Sequence, residues 1–171
     1  MSMDSYTFYK SLYDRELARR NQLDTAVNTP ITLLAIVGTA FIYFLEKTSF
    51  TLDINCLSLS DILILVTAVS IVTSIIFLIL VFNNMFTGFS YYNLPYNVSL
   101  RTYEKESKTY NDHEESEDPI DFEDFIISEL TKATDSHIEQ NDKRGLNLYR
   151  AKTFIVVSFM LIIIQYILIT F

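Results

Sequence analysis

Cysteine, glycine and proline are all scarce in this chain, and each scarcity narrows the fold. A single cysteine, Cys56, excludes an intrachain disulfide and a cysteine-based zinc cluster. Three glycines (Gly38, Gly88, Gly145) and three prolines (Pro30, Pro95, Pro119) leave little material for tight turns, so a largely helical chain is expected. A transmembrane barrel needs many short alternating segments, which the chain does not show. Catalytic signatures are missing as well. There is no Gly-rich phosphate loop, nucleophile elbow or CxxC pair. His113-Glu114-Glu115-Ser116-Glu117 lacks the second histidine of HExxH. The two histidines, His113 and His137, have no relay partner in the pattern. No catalytic residue, metal site or cofactor is expected, and the chain does not read as an enzyme.

Charge is absent from three long runs: ITLLAIVGTAFIYFL at 31–45, ILILVTAVSIVTSIIFLILVF at 62–82, and TFIVVSFMLIIIQYILITF at 153–171. A helix rises 1.5 Å per residue, so roughly twenty residues cross the hydrocarbon core of a bilayer. The second and third runs meet that length. The first is short and draws on flanking Thr29 and Tyr43 or on local thinning. One such run is compatible with a buried soluble helix. Three in 171 residues would need a soluble shell that the chain is too short to supply. About thirty residues precede the first run and no small-x-small pattern follows it, so it is read as a retained span.

The expected fold is therefore an all-α integral membrane protein with three transmembrane helices and a helical cytoplasmic module. Residues 1–28 form an amphipathic helix and 29–46 the first span. Residues 47–60 form a short external loop and 61–82 the second span. Residues 83–152 are a cytoplasmic sensor or assembly region, and 153–171 the third span. Lys and Arg number four before residue 29, one in 47–60, eight in 83–152 and none after 152. Basic residues accumulate on the cytoplasmic side, so the amino terminus lies inside and the carboxyl terminus outside, as in a bacterial inner membrane protein. The net charge of −8 is concentrated in 112–124, DHEESEDPIDFED, which is expected to stand away from anionic lipid while juxtamembrane cations face the headgroups.

Tyr9, Tyr13 and Leu17 recur every four residues, with Leu12, Leu23 and Val27 widening the apolar face. Thr29-Pro30 reads as a cap and first-turn pair. Ser60-Asp61 reads as a helix start, and Phe86, Phe89, Tyr91 and Tyr92 as interfacial aromatics. A helix is expected over 98–110. Another should start at Asp118-Pro119-Ile120-Asp121 and run through Gly145 into the last span. The apolar stripes of these helices make too small a core alone, which points to a homo-oligomer.

Candidate sites each have a plain structural explanation beside the functional one. Thr67, Ser70 and Ser74, with Thr73 near the level of Ser74, form a hydroxyl stripe in the second span. They either pack helices and bond back to carbonyls, or line a narrow pore. Gln165 is the only amide within a span and Gly38 the only glycine; both are candidates for helix association. Arg15, Arg19, Arg20, Arg101, Lys143, Arg144 and Arg150, near Tyr103 and Tyr149, would make a site for a phosphorylated or oligonucleotide ligand if they converged. Positive-inside anchoring explains the same residues without a ligand. General nucleic-acid binding does not fit the acidic main segment.

The stretches ELARRNQLDTAVNTPITLLAIVGTAFIYFL and IEQNDKRGLNLYRAKTFIVVSF, with the helix order, resemble the small membrane effectors of bacterial anti-phage nucleotide-signalling systems, including the Hailong-type channel effector. The resemblance implies an oligomeric membrane protein opened by a cyclic or linear oligonucleotide made during infection, with growth arrest as the outcome. It places Arg19 and Arg20, and Asn141, Lys143 and Arg144, in the matching segments, with 83–152 as sensor. Simpler members have two spans, whereas this chain has a third span and a separate acidic region. The expected function is a ligand-gated channel or pore. The alternative is a non-conducting scaffold or regulatory subunit that recruits a soluble partner through the acidic 112–124 face.

Overall fold

The computed structural model describes residues 4–48, 58–82, 90–112 and 119–170. It contains five helices among them: α1 (Ser5–Ala26), α2 (Asn28–Lys47), α3 (Leu59–Phe82), α4 (Asn97–Asn111) and α5 (Phe122–Thr170). Three helical stretches are long and apolar enough to cross a membrane: Ser5–Lys47, Leu59–Phe82 and Phe122–Thr170. Cys56, most of the expected outer loop, Phe86, Phe89 and positions 113–118 of the acidic run lie outside the described residues.

Local chemistry sets the helix ends, and in three places differs from the sequence expectation. At the α1–α2 junction the cap is Val27, not Thr29. Val27 keeps helical dihedrals (φ −77°, ψ −24°) and makes no side-chain cap bond. The Ile31 amide donates to the Val27 carbonyl at 3.2 Å, so the chain passes from one helix to the next with Pro30 inside the first turn of α2. Helix α3 starts at Leu59 through a reciprocal capping box. The Asp61 amide donates to Ser58 Oγ (3.2 Å), while Asp61 Oδ2 accepts from the Ser58 amide (3.0 Å) and hydroxyl (2.7 Å). Helix α5 starts at Phe122, three residues later than Pro119, because Asp121 is the residue that caps. Its Oδ1 accepts from the Glu123 amide at 2.8 Å. Asn111 pins Ile120 in front of it, exchanging two hydrogen bonds of 2.8 and 2.9 Å with that residue's backbone. Gly145 leaves α5 uninterrupted.

The chain divides into two compact units. One comprises Met1–Asn21 and Phe89–Asn141, the other Gln22–Gly88 and Asp142–Phe171. The first, polar unit holds eight Lys and Arg against sixteen Asp and Glu, and the second, apolar unit five against five. The whole net charge of −8 therefore resides in the polar unit.

One line of buried positions along α5 alternates by four and three residues: Leu130, Thr134, His137 and Asn141 in the polar unit, then Arg144, Leu148, Ala151, Ile155, Ser158, Ile162 and Gln165 in the apolar unit, with Glu129 and Ala133 buried beside its start. This 3.5-residue period is the a/d seam of coiled-coil packing. In the apolar unit the seam meets two core clusters. Val27, Leu78, Val81, Leu148 and Ala151 form one. Val37, Phe44, Ile155 and Ile162 form the other. Outside the seam the helices stay apolar: Ile36, Val69, Val72, Val156 and Met160 are all exposed. Only 22%, 28% and 22% of the three apolar windows are covered by the chain itself, a pattern suited to a hydrocarbon solvent.

In the polar unit, Tyr103 of α4 packs its ring 4.3 Å from Phe125 at the start of α5. Glu104, held by Lys108 and Arg101, has its carboxyl pulled below the usual range by those hydrogen bonds.

Candidate functional site

The polar unit buries a connected set of polar side chains where α1 meets the first half of α5. Glu16 is 3% exposed, His137 1% and Asn141 fully buried. The Asn141 amide donates to the Glu16 carbonyl at 3.0 Å and to Glu16 Oε2 at 3.2 Å. The Tyr91 hydroxyl donates to Asn141 Oδ1 at 3.3 Å. Arg19 approaches the Glu16 carboxylate at 3.4 Å and Arg15 at 3.5 Å. Burying a carboxylate is costly unless it is paired and hydrogen-bonded, and Asn141, Arg15 and Arg19 meet that requirement for Glu16.

His137 is packed rather than bonded. Tyr91 stacks on it with centroids 4.6 Å apart, and Tyr13 meets it edge-on at 5.6 Å. Among the described residues neither ring nitrogen has a hydrogen-bond partner. Burial pushes its pKa below the ordinary 6.5, and the nearby Arg20 charge pushes the same way against an opposing pull from Glu16. The neutral imidazole is thus the form this packing holds. Arg20 lies over the outer face of Tyr91, 4.4 Å from the ring centroid. Tyr91 and Tyr92, expected as interfacial aromatics, tie the segment before α4 to α5. The Tyr92 amide donates to Ser136 Oγ at 2.9 Å and its hydroxyl to Glu129 Oε2 at 2.6 Å. Lys132 holds the other oxygen of Glu129 at 2.7 Å. Glu129 is lowered by these two bonds, Lys132 first, and Tyr92 is raised by its bond to Glu129.

The expected ligand cations all have intrachain engagements. In the polar unit Arg15 and Arg19 pair with Glu16, Arg101 pairs with Glu104, and Arg20 covers Tyr91. In the apolar unit Arg144 is 3% exposed. It donates through Nε to the Val81 carbonyl at 3.0 Å and pairs with Asp24. It therefore satisfies the end of α3, where a cation complements the helix dipole. Arg150 sits 5.5 Å from the Phe77 ring centroid, and Lys143 is likewise engaged.

The hydroxyl stripe is buried against α5. Ser70 Oγ donates to the Phe154 carbonyl at 3.0 Å and Ser74 Oγ to the Ala151 carbonyl at 3.1 Å. Thr67 and Thr73 donate back to their own helix, to Leu63 and Val69, each at 2.7 Å. The two serine bonds pack α3 against α5 and the two threonine bonds return to their own helix, as the structural alternative for the stripe describes. Among the described residues Gly38 has no neighbour within 4 Å of where a Cβ would stand, so none of them uses it for close approach. Gln165 is fully buried, and among the described residues neither its oxygen nor its nitrogen finds a partner.

Sequence reasoning missed Glu16 and dismissed His137. A four-residue repeat through Tyr9, Tyr13 and Leu17 puts Glu16 off the apolar face. A 3.5-residue repeat through Tyr13, Glu16, Arg20, Leu23 and Val27 puts it on the seam. Among the described residues no group of three or more His, Cys, Asp or Glu is placed to hold a metal ion. No family model, no curated protein and no solved structure matches the chain.

Proposed function

We propose that the chain is one subunit of a homo-oligomeric, ligand-gated membrane channel, and that the packing described above is its closed form. Gln165 carries this reading. Its amide is buried among apolar helices with no partner among the described residues, at a cost of several kcal/mol in hydrocarbon. Helices that part and admit water relieve that cost. The Ser74–Ala151 and Ser70–Phe154 bonds fix an antiparallel register in which Ser60 of α3 lies level with Gln165. The Ser60 hydroxyl is also buried without a partner among the described residues. Ser74, Ser70, Thr67, Ser158 and Gln165 thus give α3 and α5 a column of polar groups that hydration would join into a path. Three helices per chain are too few to enclose a pore, so several copies surround it.

In this reading the polar unit is cytoplasmic, as the basic-residue distribution supports, and the membrane is a bacterial inner membrane, as the resemblance noted above implies. The gating signal is a cyclic or linear oligonucleotide and the outcome is growth arrest during phage infection; the resemblance noted above supports both. Arg15 and Arg19 remain open enough for a phosphate to compete with Glu16, with side chains 64% and 38% exposed. Displacing Glu16 would leave Asn141 short of an acceptor on α5, the helix that also carries Gln165. Planar-bilayer recording of the purified protein, with and without cyclic and linear oligonucleotides, tests the proposal. Stepwise currents that appear with one of them support it, and silence from folded protein across all of them contradicts it.

A second reading, a non-conducting scaffold or regulatory subunit, is favoured by one observation: the entire net charge of −8 sits in the polar unit, a surface suited to cationic protein partners.

A further inference from the structure

The polar unit contains a groove of about 560 Å³ between the first turns of α1, the 94–100 segment and the start of α5. Its floor is apolar, built chiefly from Tyr6, Leu94, Leu100, Phe122, Ile126 and Leu130. Its rim is acidic: Asp4 and Asp14 on one side, Glu123 and Glu129 on the other, with Lys10 the one basic lining residue. Lys10 is already paired with Asp14 at 3.2 Å, and Glu129 with Lys132 at 2.7 Å. Among the described residues no ion pair engages Asp4 or Glu123.

We infer that this groove docks an amphipathic helix of a soluble partner protein, one with apolar anchors at i, i+4 and i+7 flanked by Lys or Arg. Three observations select that occupant. The floor offers aromatic and aliphatic side chains, which are the anchors' natural environment. The rim's uncommitted charge, at Asp4 and Glu123, is negative, so at this groove a cationic flank is attracted and an anionic one disfavoured. The rim is also long. Asp4 and Asp14 stand ten residues apart along α1, about 15 Å, or nearly three helical turns. A compact cation meets one end of such a rim, whereas a helix with spaced basic residues meets both. The inference rests on neither reading of the spanning helices, because every groove residue belongs to the polar unit.

The test uses full-length protein in non-ionic detergent and a fluorescein-labelled synthetic helix of eighteen residues. That probe carries Leu and Phe on one face and Lys on its flanks; a second probe replaces Lys with Glu. Fluorescence polarisation against protein, with empty micelles subtracted, should show saturable binding of the Lys probe. The Glu probe should bind about tenfold more weakly or worse. The double variant Asp4→Lys/Glu123→Lys alters only the rim and should reverse the preference between probes. Ile126→Glu should abolish binding of both, and circular dichroism checks that it stays helical. Equal binding of the two probes, or no saturable binding by the folded protein, overturns the inference. So does protection of a Tyr6→Cys thiol from maleimide in the solubilised assembly, in a Cys56→Ser background, because a second copy would then be the occupant.

Discussion

The side-chain amide of Asn141 grips Glu16 twice, at its backbone carbonyl (3.0 Å) and at its carboxylate (3.2 Å), 125 positions apart in sequence. This contact joins α1 to α5 at a point where both residues occupy seam positions that a simpler coiled coil would fill with leucine. Polar seam residues cost stability and fix register. The pair therefore sets which face of α1 meets α5.

Replacing Asn141 by leucine should lower the thermal stability of the polar unit by about 1–3 kcal/mol, because Glu16 stays buried with fewer donors. Adding Glu16→Gln should recover part of the loss. A double-mutant cycle on unfolding in detergent reads the coupling between them; additive losses would show that the two side chains do not interact.

His137 predicts a pH dependence with a definite sign. Its pKa is below 6.5 in the folded protein, so the unfolded chain binds the additional proton first. Stability is then fully present above about pH 6.5 and declines as pH falls through 6.5 towards the lower folded value. The melting temperature of the wild type, compared with His137→Phe over pH 5 to 8, checks this: the wild-type curve should carry a slope below 6.5 that the variant loses.

The spans were legible in the sequence because composition alone decides them: no charge enters 31–45, 62–82 or 153–171. The continuity of α5 through Gly145 was legible for the same kind of reason, since one glycine costs a helix only about 1 kcal/mol. Helix starts were misplaced where a neighbour had the better cap, as with Ser58 and Asp121. Glu16 and His137 were hidden because an apolar-face search discards polar residues, and only the partner helix reveals that they are buried. The contacts of Tyr91 and Tyr92 with α5 were not legible, because a tyrosine beside a span looks the same in sequence whether or not it packs on a histidine.

Ser70→Ala and Ser74→Ala should each destabilise the apolar unit by roughly 0.6 kcal/mol, the usual worth of an interhelical hydrogen bond in a membrane protein. Unfolding in mixed micelles of increasing SDS fraction measures it. No change in either variant would mean that these hydroxyls do not bond across to α5.

Arg144→Lys should be destabilising although the charge is kept. An ammonium cannot reproduce the planar fork that reaches the Val81 carbonyl and Asp24 together. A loss of about 1–3 kcal/mol is expected in the same micelle titration; an unchanged midpoint would show that the fork is not used.

The most direct measurement compares the wild type with Gln165→Leu in planar bilayers under the oligonucleotide that opens the wild type. Leucine removes the unsatisfied amide, so the closed packing gains roughly 1–3 kcal/mol and open probability should fall by about tenfold or more while the protein stays folded. A Gln165→Leu channel that opens as often as the wild type would contradict the account.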